Sequence, residues 1–221
     1  MRVNNLKSFE IGRPKMRFKN PQIEGKLYLY RQPQFDIALW MVSTLLAKQV
    51  LFQITQGQTY DFPGGGSVVK TQWHTSMVQA GQFPNPDVFY AKQISLDFRG
   101  DIFELDAQHL VWDSLVTFNI SQRPFLQLHA AKLPGAGGLF GFTGTNFTNG
   151  LPTQDNEFDF SDQNGEVISQ GQNFNVVIDP TLVSDASGAG TYTTASDQQE
   201  AGGTGVQAKL TLDGLYGRVV L

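Results

Sequence analysis

Cysteine is absent from this chain of 221 residues. Its absence excludes a disulfide framework, a thiolate nucleophile and a cysteine-based zinc site. Charged residues are also few, at 16% of the chain. The three histidines, His74, His109 and His129, lie far apart in the sequence, and no pair of them has the spacing of a helical zinc motif. The sequence therefore offers little of the chemistry on which metal-dependent or nucleophilic catalysis depends.

Long hydrophobic runs and catalytic motifs are missing as well. The most hydrophobic stretch, residues 37–52, is interrupted by polar side chains and is shorter than the roughly 20 apolar residues of a membrane-spanning helix. The sequence has no G-x-S-x-G motif, and the glycine loop at 134–138 lacks the Lys-Ser/Thr of a phosphate-binding loop. The 20 acidic residues could supply a pair of catalytic carboxylates, but nothing selects a pair. We therefore predict no cofactor and no enzymatic activity.

Basic charge is concentrated at one end of the chain. Residues 1–31 contain eight of the 16 Lys and Arg residues and only two acids, a formal charge of +6, whereas the remaining 190 residues carry −10. Such asymmetry favours a polyanion, a membrane surface or an acidic neighbour as the partner of the basic end. A solvated tail without a partner is the alternative. The residues predicted to form this interaction arm are Arg2, Lys7, Arg13, Lys15, Arg17 and Lys19.

One acidic cluster has carboxylates close enough together to suggest Ca²⁺ binding. It consists of Asp155, Glu157, Asp159, Asp162 and Glu166. The spacing does not match an EF-hand loop, because the glycine required at the sixth position is missing. Aromatic residues at 158 and 160 alternate with the acids, as expected of an edge strand with a charged face that discourages unwanted pairing. We favour that interpretation and predict no metal site, with calcium binding as the alternative.

Alternation of apolar and polar residues dominates the second half of the chain and predicts half-buried strands of antiparallel sheets. A short connection at Gln122 and Arg123 predicts a hairpin over residues 114–130. Two earlier segments, 27–31 and 50–56, are further strand candidates. The alternating sets are Ile94, Leu96 and Phe98; Val116, Phe118 and Ile120; Leu126 and Leu128; Phe174, Val176 and Ile178; and Val206, Ala208, Leu210 and Leu212.

Helical spacing occurs in only two places. Phe35, Leu39, Val42 and Leu46 predict a helix over residues 35–48, although its last residues could continue into a buried strand, and a shorter helix is predicted over 106–113. Long polar loops are predicted at 62–66, 133–150 and 183–205. Together these patterns predict an all-β, antiparallel two-sheet sandwich, a jelly roll with one or two short inserted helices. We predict that residues 1–25 form the basic arm and that residues 26–221 form a single domain.

The order of these elements resembles the single-jelly-roll coat proteins of tailless icosahedral bacteriophages. The resemblance covers residues 93–221 best, and the first 90 residues poorly. It lies in a strand ending in Asp97-Phe98-Arg99-Gly100-Asp101, the short helix, the hairpin and its following glycine loop, a late strand at 173–179, and the terminal Leu210-Thr211-Leu212-Asp213-Gly214-Leu215-Tyr216-Gly217-Arg218-Val219. The arm differs from a strongly RNA-packaging type, which would carry a dense arginine cluster.

The resemblance implies a structural virion protein, made in the host cytoplasm, that self-assembles into an icosahedral shell. Its partners would be copies of itself and other capsid proteins, with the basic arm facing inward or onto neighbours, against nucleic acid or an internal membrane. The composition agrees with assembly, because a surface with few charges is buried without desolvating many ions.

Two other classes of function are compatible with a β-sandwich. A carbohydrate-binding or adhesive domain would use exposed aromatic side chains as stacking platforms. All three tryptophans are predicted to favour the core, Trp40 because it lies in the apolar helix and Trp112 because it comes just before a strand. Trp73, between Gln72 and His74, is the one that could instead be an exposed platform. A β-sandwich hydrolase is the third class, less favoured than the second.

Overall fold

The computed structural model describes residues 26–40, 46–61, 66–98, 104–133, 139–143, 146–149, 158–160, 166–180 and 206–220. Most of this part of the chain is β-strand, and every strand pairing in it is antiparallel. The prediction of an all-β, antiparallel architecture is therefore confirmed. No helix among these residues is long and apolar enough to cross a membrane.

In the part of the chain that the structure describes, one α-helix lies between the sixth and seventh strands. A short 3-10 helix, Ala130–Lys132, follows the eighth strand. In chain order the elements are β1 (Lys26–Arg31), β2 (Gln34–Trp40), β3 (Gln49–Leu51), β4 (Thr59–Asp61), β5 (Ser67–Val69), β6 (Val88–Phe98), α1 (Glu104–Trp112), β7 (Leu115–Ile120), β8 (Arg123–His129), β9 (Leu139–Thr143), β10 (Asn146–Asn149), β11 (Phe158–Asp159), β12 (Glu166–Ile168), β13 (Phe174–Asp179) and β14 (Val206–Val220).

The larger sheet has six strands and is built around β14. Along one edge, β14 pairs with β6; along the other, its first half pairs with β2 and its second half with β1. The outer edge of β6 pairs with β11 and β12. The alternation predicted for this sheet is confirmed, because Leu210 and Leu212 of β14 are fully buried together with Ile94 of β6.

The second sheet has four strands in the order β3, β13, β7 and β8. The hairpin predicted over residues 114–130 is confirmed as β7 and β8. Its turn residues are Ser121 and Gln122, one position earlier than predicted, and both have positive φ. Mirror-image turns of this kind match the twist of the paired strands. Register along β7 buries Val116, Phe118 and Ile120, as the alternation predicted.

Side chains from both sheets pack into one core. The Phe83 ring stacks on Phe174 of β13 at 5.0 Å between centroids and packs against Phe89 of β6 at 5.3 Å. The ring of Phe52, which follows β3, also packs against Phe174, at 5.4 Å between centroids. Because aromatic side chains join the two sheets, the packing is that of a sandwich.

The helix predicted over residues 35–48 is wrong where the structure describes it. Residues 34–40 form β2, and the buried side chains of its inward face are Gln34, Asp36, Ala38 and Trp40. Two members of that inward set are polar. The true period-two pattern was therefore hidden, and the apolar residues on both faces matched a helical spacing instead.

Three other expectations need correction or adjustment. The strand predicted over 50–56 ends at Leu51, because the chain bends at Phe52, whose φ is 67°. The loop predicted over 133–150 contains the hairpin of β9 and β10. The helix predicted over 106–113 is present as α1, which begins two residues earlier. The loop predicted over 183–205 lies outside the described residues.

Candidate functional site

The predicted interaction arm lies outside the described residues. The interaction of its six basic side chains with a partner therefore stays a prediction. The structure does place the point at which the arm meets the body. Lys26, the first residue of β1, pairs with Val220 at the far end of β14. The arm therefore joins the six-stranded sheet at a corner, beside the last residues of its central strand. We call this region the arm corner.

Aromatic and charged side chains meet at the arm corner. Tyr28 and Tyr30 are 57% and 40% exposed. The Tyr216 hydroxyl donates a 2.8 Å hydrogen bond to the buried carboxylate of Asp87, and the Arg218 guanidinium lies 3.5 Å from the same oxygen. Burial and the Asp87 carboxylate raise the pKa of Tyr216, which keeps the hydroxyl protonated as a donor. The corner thus presents exposed tyrosines beside a guanidinium held by a buried acid.

A fully buried ion pair joins β2 to the segment that follows β5. The Lys70 ammonium lies 2.6 Å from the Asp36 carboxylate, and the exposed fractions are 1% and 0%. The same carboxylate accepts hydrogen bonds from the backbone N–H groups of Phe52 and Ile37. Burial raises the pKa of Asp36, whereas the ammonium and the two N–H groups oppose that rise. The Tyr60 ring packs 4.9 Å from the ammonium.

This ion pair anchors residues 74–76, which cover the edge of β2 that does not pair with β14. The backbone N–H of Ile37 donates to the carbonyl of His74, and the N–H of Ser76 donates to the carbonyl of Phe35. Residues 74–76 therefore run along β2 and satisfy backbone groups that an open edge would expose. Because neither charged side chain reaches solvent, the pair has no access to a substrate, and we interpret it as a structural anchor.

The three histidines are distributed over separate parts of the structure. Nδ1 of His74 lies 2.9 Å from the Thr71 hydroxyl, and Nδ1 of His109 lies 2.7 Å from the Asp113 carboxylate near the end of α1. His129 is exposed on β8, as predicted. Within the described ranges, no group of three or more His, Asp or Glu side chains is placed to hold a metal ion.

The predicted acidic cluster is only partly described. Asp159 is exposed on β11, as an edge strand with a charged face requires, and Glu166 is half-buried on β12. Burial raises the pKa of Glu166. The remaining members, Asp155, Glu157 and Asp162, lie outside the described residues.

The three tryptophans divide differently from the prediction. Trp40 is a core residue, as predicted, and its indole N–H donates a 2.7 Å hydrogen bond to the carbonyl of Ala47. Trp112 was predicted to be buried, but it is 69% exposed because it ends α1 on the solvent side. Trp73 was also expected to favour the core, but it is 78% exposed, which is the alternative that the sequence left open for this residue. Two indole rings are therefore available for contact with another molecule.

The outer face of the four-stranded sheet is polar but nearly free of charge along its middle. Asn119 of β7 donates a 2.8 Å hydrogen bond to Asn175 of β13, and Gln127 of β8 lies 3.4 Å from the Thr117 hydroxyl. Val50 of β3 is 41% exposed. We call this region the neutral face. Burying it against another surface would not require ions to be desolvated, a cost of several kcal/mol per charge.

Comparisons with known proteins add no family or neighbour. No model of a known protein family, no curated protein and no solved structure matches this chain. Any proposal for its function therefore rests on the sequence pattern and on the geometry described above.

Proposed function

We propose that this chain is a structural virion protein, a capsid subunit whose jelly-roll body self-assembles into an icosahedral shell. The observation that carries the proposal is the nesting of its strand pairs. Among the eight sandwich strands β2, β3, β6, β7, β8, β12, β13 and β14, the first pairs with the eighth, the second with the seventh, the third with the sixth and the fourth with the fifth.

Nested antiparallel pairs of this kind arise when one long hairpin is rolled up into two facing sheets. They support the jelly-roll arrangement, which capsid subunits share with lectins and cupins. The two short helices fall in or beside connections between these strands: α1 lies between β6 and β7, and Ala130–Lys132 follows β8. Because one fold serves several functions, the choice among them depends on the surfaces.

Two surfaces favour assembly. The neutral face offers hydrogen-bonding groups and some apolar area with little charge, as the centre of a subunit interface requires. The arm corner carries the exposed rings of Tyr28 and Tyr30 beside Arg218, and tyrosine and arginine are enriched at interfaces. The basic arm begins at this corner, so it can extend onto a neighbouring subunit or toward an anionic interior.

Removing residues 1–25 should leave the body folded and weaken assembly. β1 begins after the removed segment and keeps its pairing with β14, so circular dichroism should retain its β-sheet signal. Light scattering should show that a higher protein concentration is needed to form particles. As a matched control, neutralising Arg13, Lys15 and Arg17 by substitution with Gln in the full-length chain separates the effect of charge from that of length.

Loss of the β-sheet signal in the truncated chain would show that the arm belongs to the core. If both variants form particles at the same protein concentration as the wild type, the arm makes no contact that contributes to assembly. Since exposed ion pairs weaken as the Debye length falls to about 3 Å at 1 M salt, we also expect high salt to release the arm's partner before it dissociates contacts made by the neutral face.

The exposed rings of Trp73 and Trp112 favour a second candidate, a carbohydrate-binding or adhesive domain, because indole rings stack on sugars. This candidate predicts a monomer or small oligomer whose tryptophan fluorescence shifts on titration with glycans. A Trp73→Ala variant would lose that response. If the full-length chain forms particles and neither ring responds to glycans, the capsid proposal is favoured.

A further inference from the structure

A pocket of about 220 Å³ opens on the outward face of the six-stranded sheet. It lies where the register between β14 and β6 shifts: Gln93 pairs with Asp213 and Ala91 pairs with Gly214, so that Lys92 has no partner residue across the ladder. A β-bulge of this type redirects a side chain. As a result two neighbours in sequence line the same pocket, whose wall is formed by Arg31, Lys92, Gln93, Asp213, Gly214 and Leu215.

The backbone around the bulge is held in place. A Cβ atom at Gly214 would collide with the carbonyl oxygen of Tyr90, so the close approach of the two strands requires glycine at this position. The carbonyl of Lys92 accepts a 2.9 Å hydrogen bond from the N–H of Phe160. These contacts fix the backbone from which the side chains of the pocket project.

Positively charged side chains outnumber negatively charged ones in the wall of the pocket. Asp213 accepts a 2.7 Å hydrogen bond from the Gly214 N–H and is paired with Arg31, whose Nε lies 3.3 Å from one carboxylate oxygen while a second guanidinium nitrogen contacts the other. This fork fixes the orientation of the guanidinium. Among the described residues, none forms an ion pair with the Lys92 ammonium. The charged side chains that line the pocket are therefore two cations and one carboxylate, which sum to a formal charge of +1.

We propose that this pocket binds a carboxylate group, held between the Lys92 ammonium and the Arg31 guanidinium with the Gln93 amide as a further donor. A single carboxylate balances the +1 charge of the lining side chains, whereas a phosphate dianion would add negative charge beside Asp213. Asp213 acts as a positioning residue for Arg31. Two sources can supply the group. One is an acidic side chain from a second copy of the chain, which rests on the proposed function; the other is a small free carboxylate.

The two sources are tested with the full-length protein and one pair of variants. Lys92→Met removes the charge in the pocket and keeps the length of the side chain, whereas Lys132→Met removes an exposed charge elsewhere and serves as the control. Titration with glucuronate, followed by NMR, tests the free carboxylate. The protein concentration at which particles form, followed by light scattering, tests the carboxylate of a second copy.

Either of two results supports the proposal. Glucuronate binds the wild type and the Lys132→Met variant but binds Lys92→Met about tenfold more weakly, or Lys92→Met raises the concentration needed for assembly about tenfold while the control does not. Lys92→Arg keeps the charge and should retain the wild-type behaviour, which separates loss of charge from loss of folding.

The proposal is overturned if Lys92→Met is folded and matches the wild type in both measurements, or if glucuronate does not bind and no assembly occurs. A wild-type chain that stays monomeric but binds glucuronate through Lys92 would contradict the capsid proposal and leave the carboxylate site intact. If Lys92→Met forms shells as well as the wild type and glucuronate does not bind, the carboxylate site is contradicted and the capsid proposal is kept.

Discussion

Replacing Lys70 by methionine should destabilise the folded protein by about 3–5 kcal/mol, because it leaves the fully buried carboxylate of Asp36 without its ammonium partner. Methionine is close to lysine in length, so packing against the Tyr60 ring is largely kept and the loss is mainly electrostatic. Urea unfolding followed by circular dichroism measures the change. A second variant, Asp36→Asn with Lys70→Met, should recover part of the loss, since a neutral pair needs no counter-charge.

The matched control is Lys48→Met. Its ammonium lies 3.7 Å from Asp179 on the surface, with the lysine side chain 55% exposed, and exposed pairs contribute about 0–1 kcal/mol. Burial raises the pKa of Asp36 and the Lys70 ammonium lowers it, so the pKa of Asp36 should rise further in Lys70→Met. The variant then takes up a proton at Asp36 at a higher pH than the wild type, and its loss of stability should be largest near neutral pH and narrow as the pH falls toward about 4. Equal losses in the two lysine variants would contradict the anchor role.

Leu212→Ala should destabilise the protein by about 2–5 kcal/mol through lost burial and the cavity left behind. Leu212 is fully buried in β14, opposite Ile94 of β6 and Gln34 of β2. The neighbouring Thr211 projects to the other face and is only partly buried, so Thr211→Ala should cost about 0.5 kcal/mol. Urea unfolding of both variants tests the register of the strand. Equal costs would mean that the inward and outward faces are assigned wrongly.

The strands that the sequence predicts well are those whose inward face is wholly apolar. β7 and β13 are examples: each has three inward apolar residues separated by partly buried, mostly polar ones, and the structure buries the same residues. Here the local pattern carries the whole signal, because a shift of one residue would expose every apolar side chain. The hairpin turn lies one position earlier than predicted. Ser121 has a positive φ, and serine has no strong preference for that conformation from which the position could have been predicted.

β2 could not be predicted from its own residues. Its inward face contains Asp36, which is tolerated only because Lys70, 34 residues later, supplies the opposite charge and because two backbone N–H groups complete its hydrogen bonds. The residues around Asp36 contain no pattern from which Lys70 could be predicted as its partner. Trp112 was misplaced because it comes just before a strand and was assigned to the core on that ground, whereas its position at the end of α1 turns it toward solvent.

The carboxylate pocket was also invisible in the sequence. Arg31, Lys92 and Asp213 belong to three strands that are far apart along the chain, and they meet only through the antiparallel register of β1, β14 and β6. The bulge at Lys92 adds a shift that alternation cannot anticipate. Gly214 was the one local signal, because a glycine inside a strand pattern often marks a bulge or a close approach of two backbones.

Negative-stain electron microscopy of the purified full-length chain tests the central claim most directly. If the chain is a self-assembling capsid subunit, the images should show closed, uniformly sized shells with icosahedral outlines. Light scattering of the same sample should give a mass in the megadalton range. A sample that contains only isolated subunits or small oligomers at high protein concentration would contradict the account.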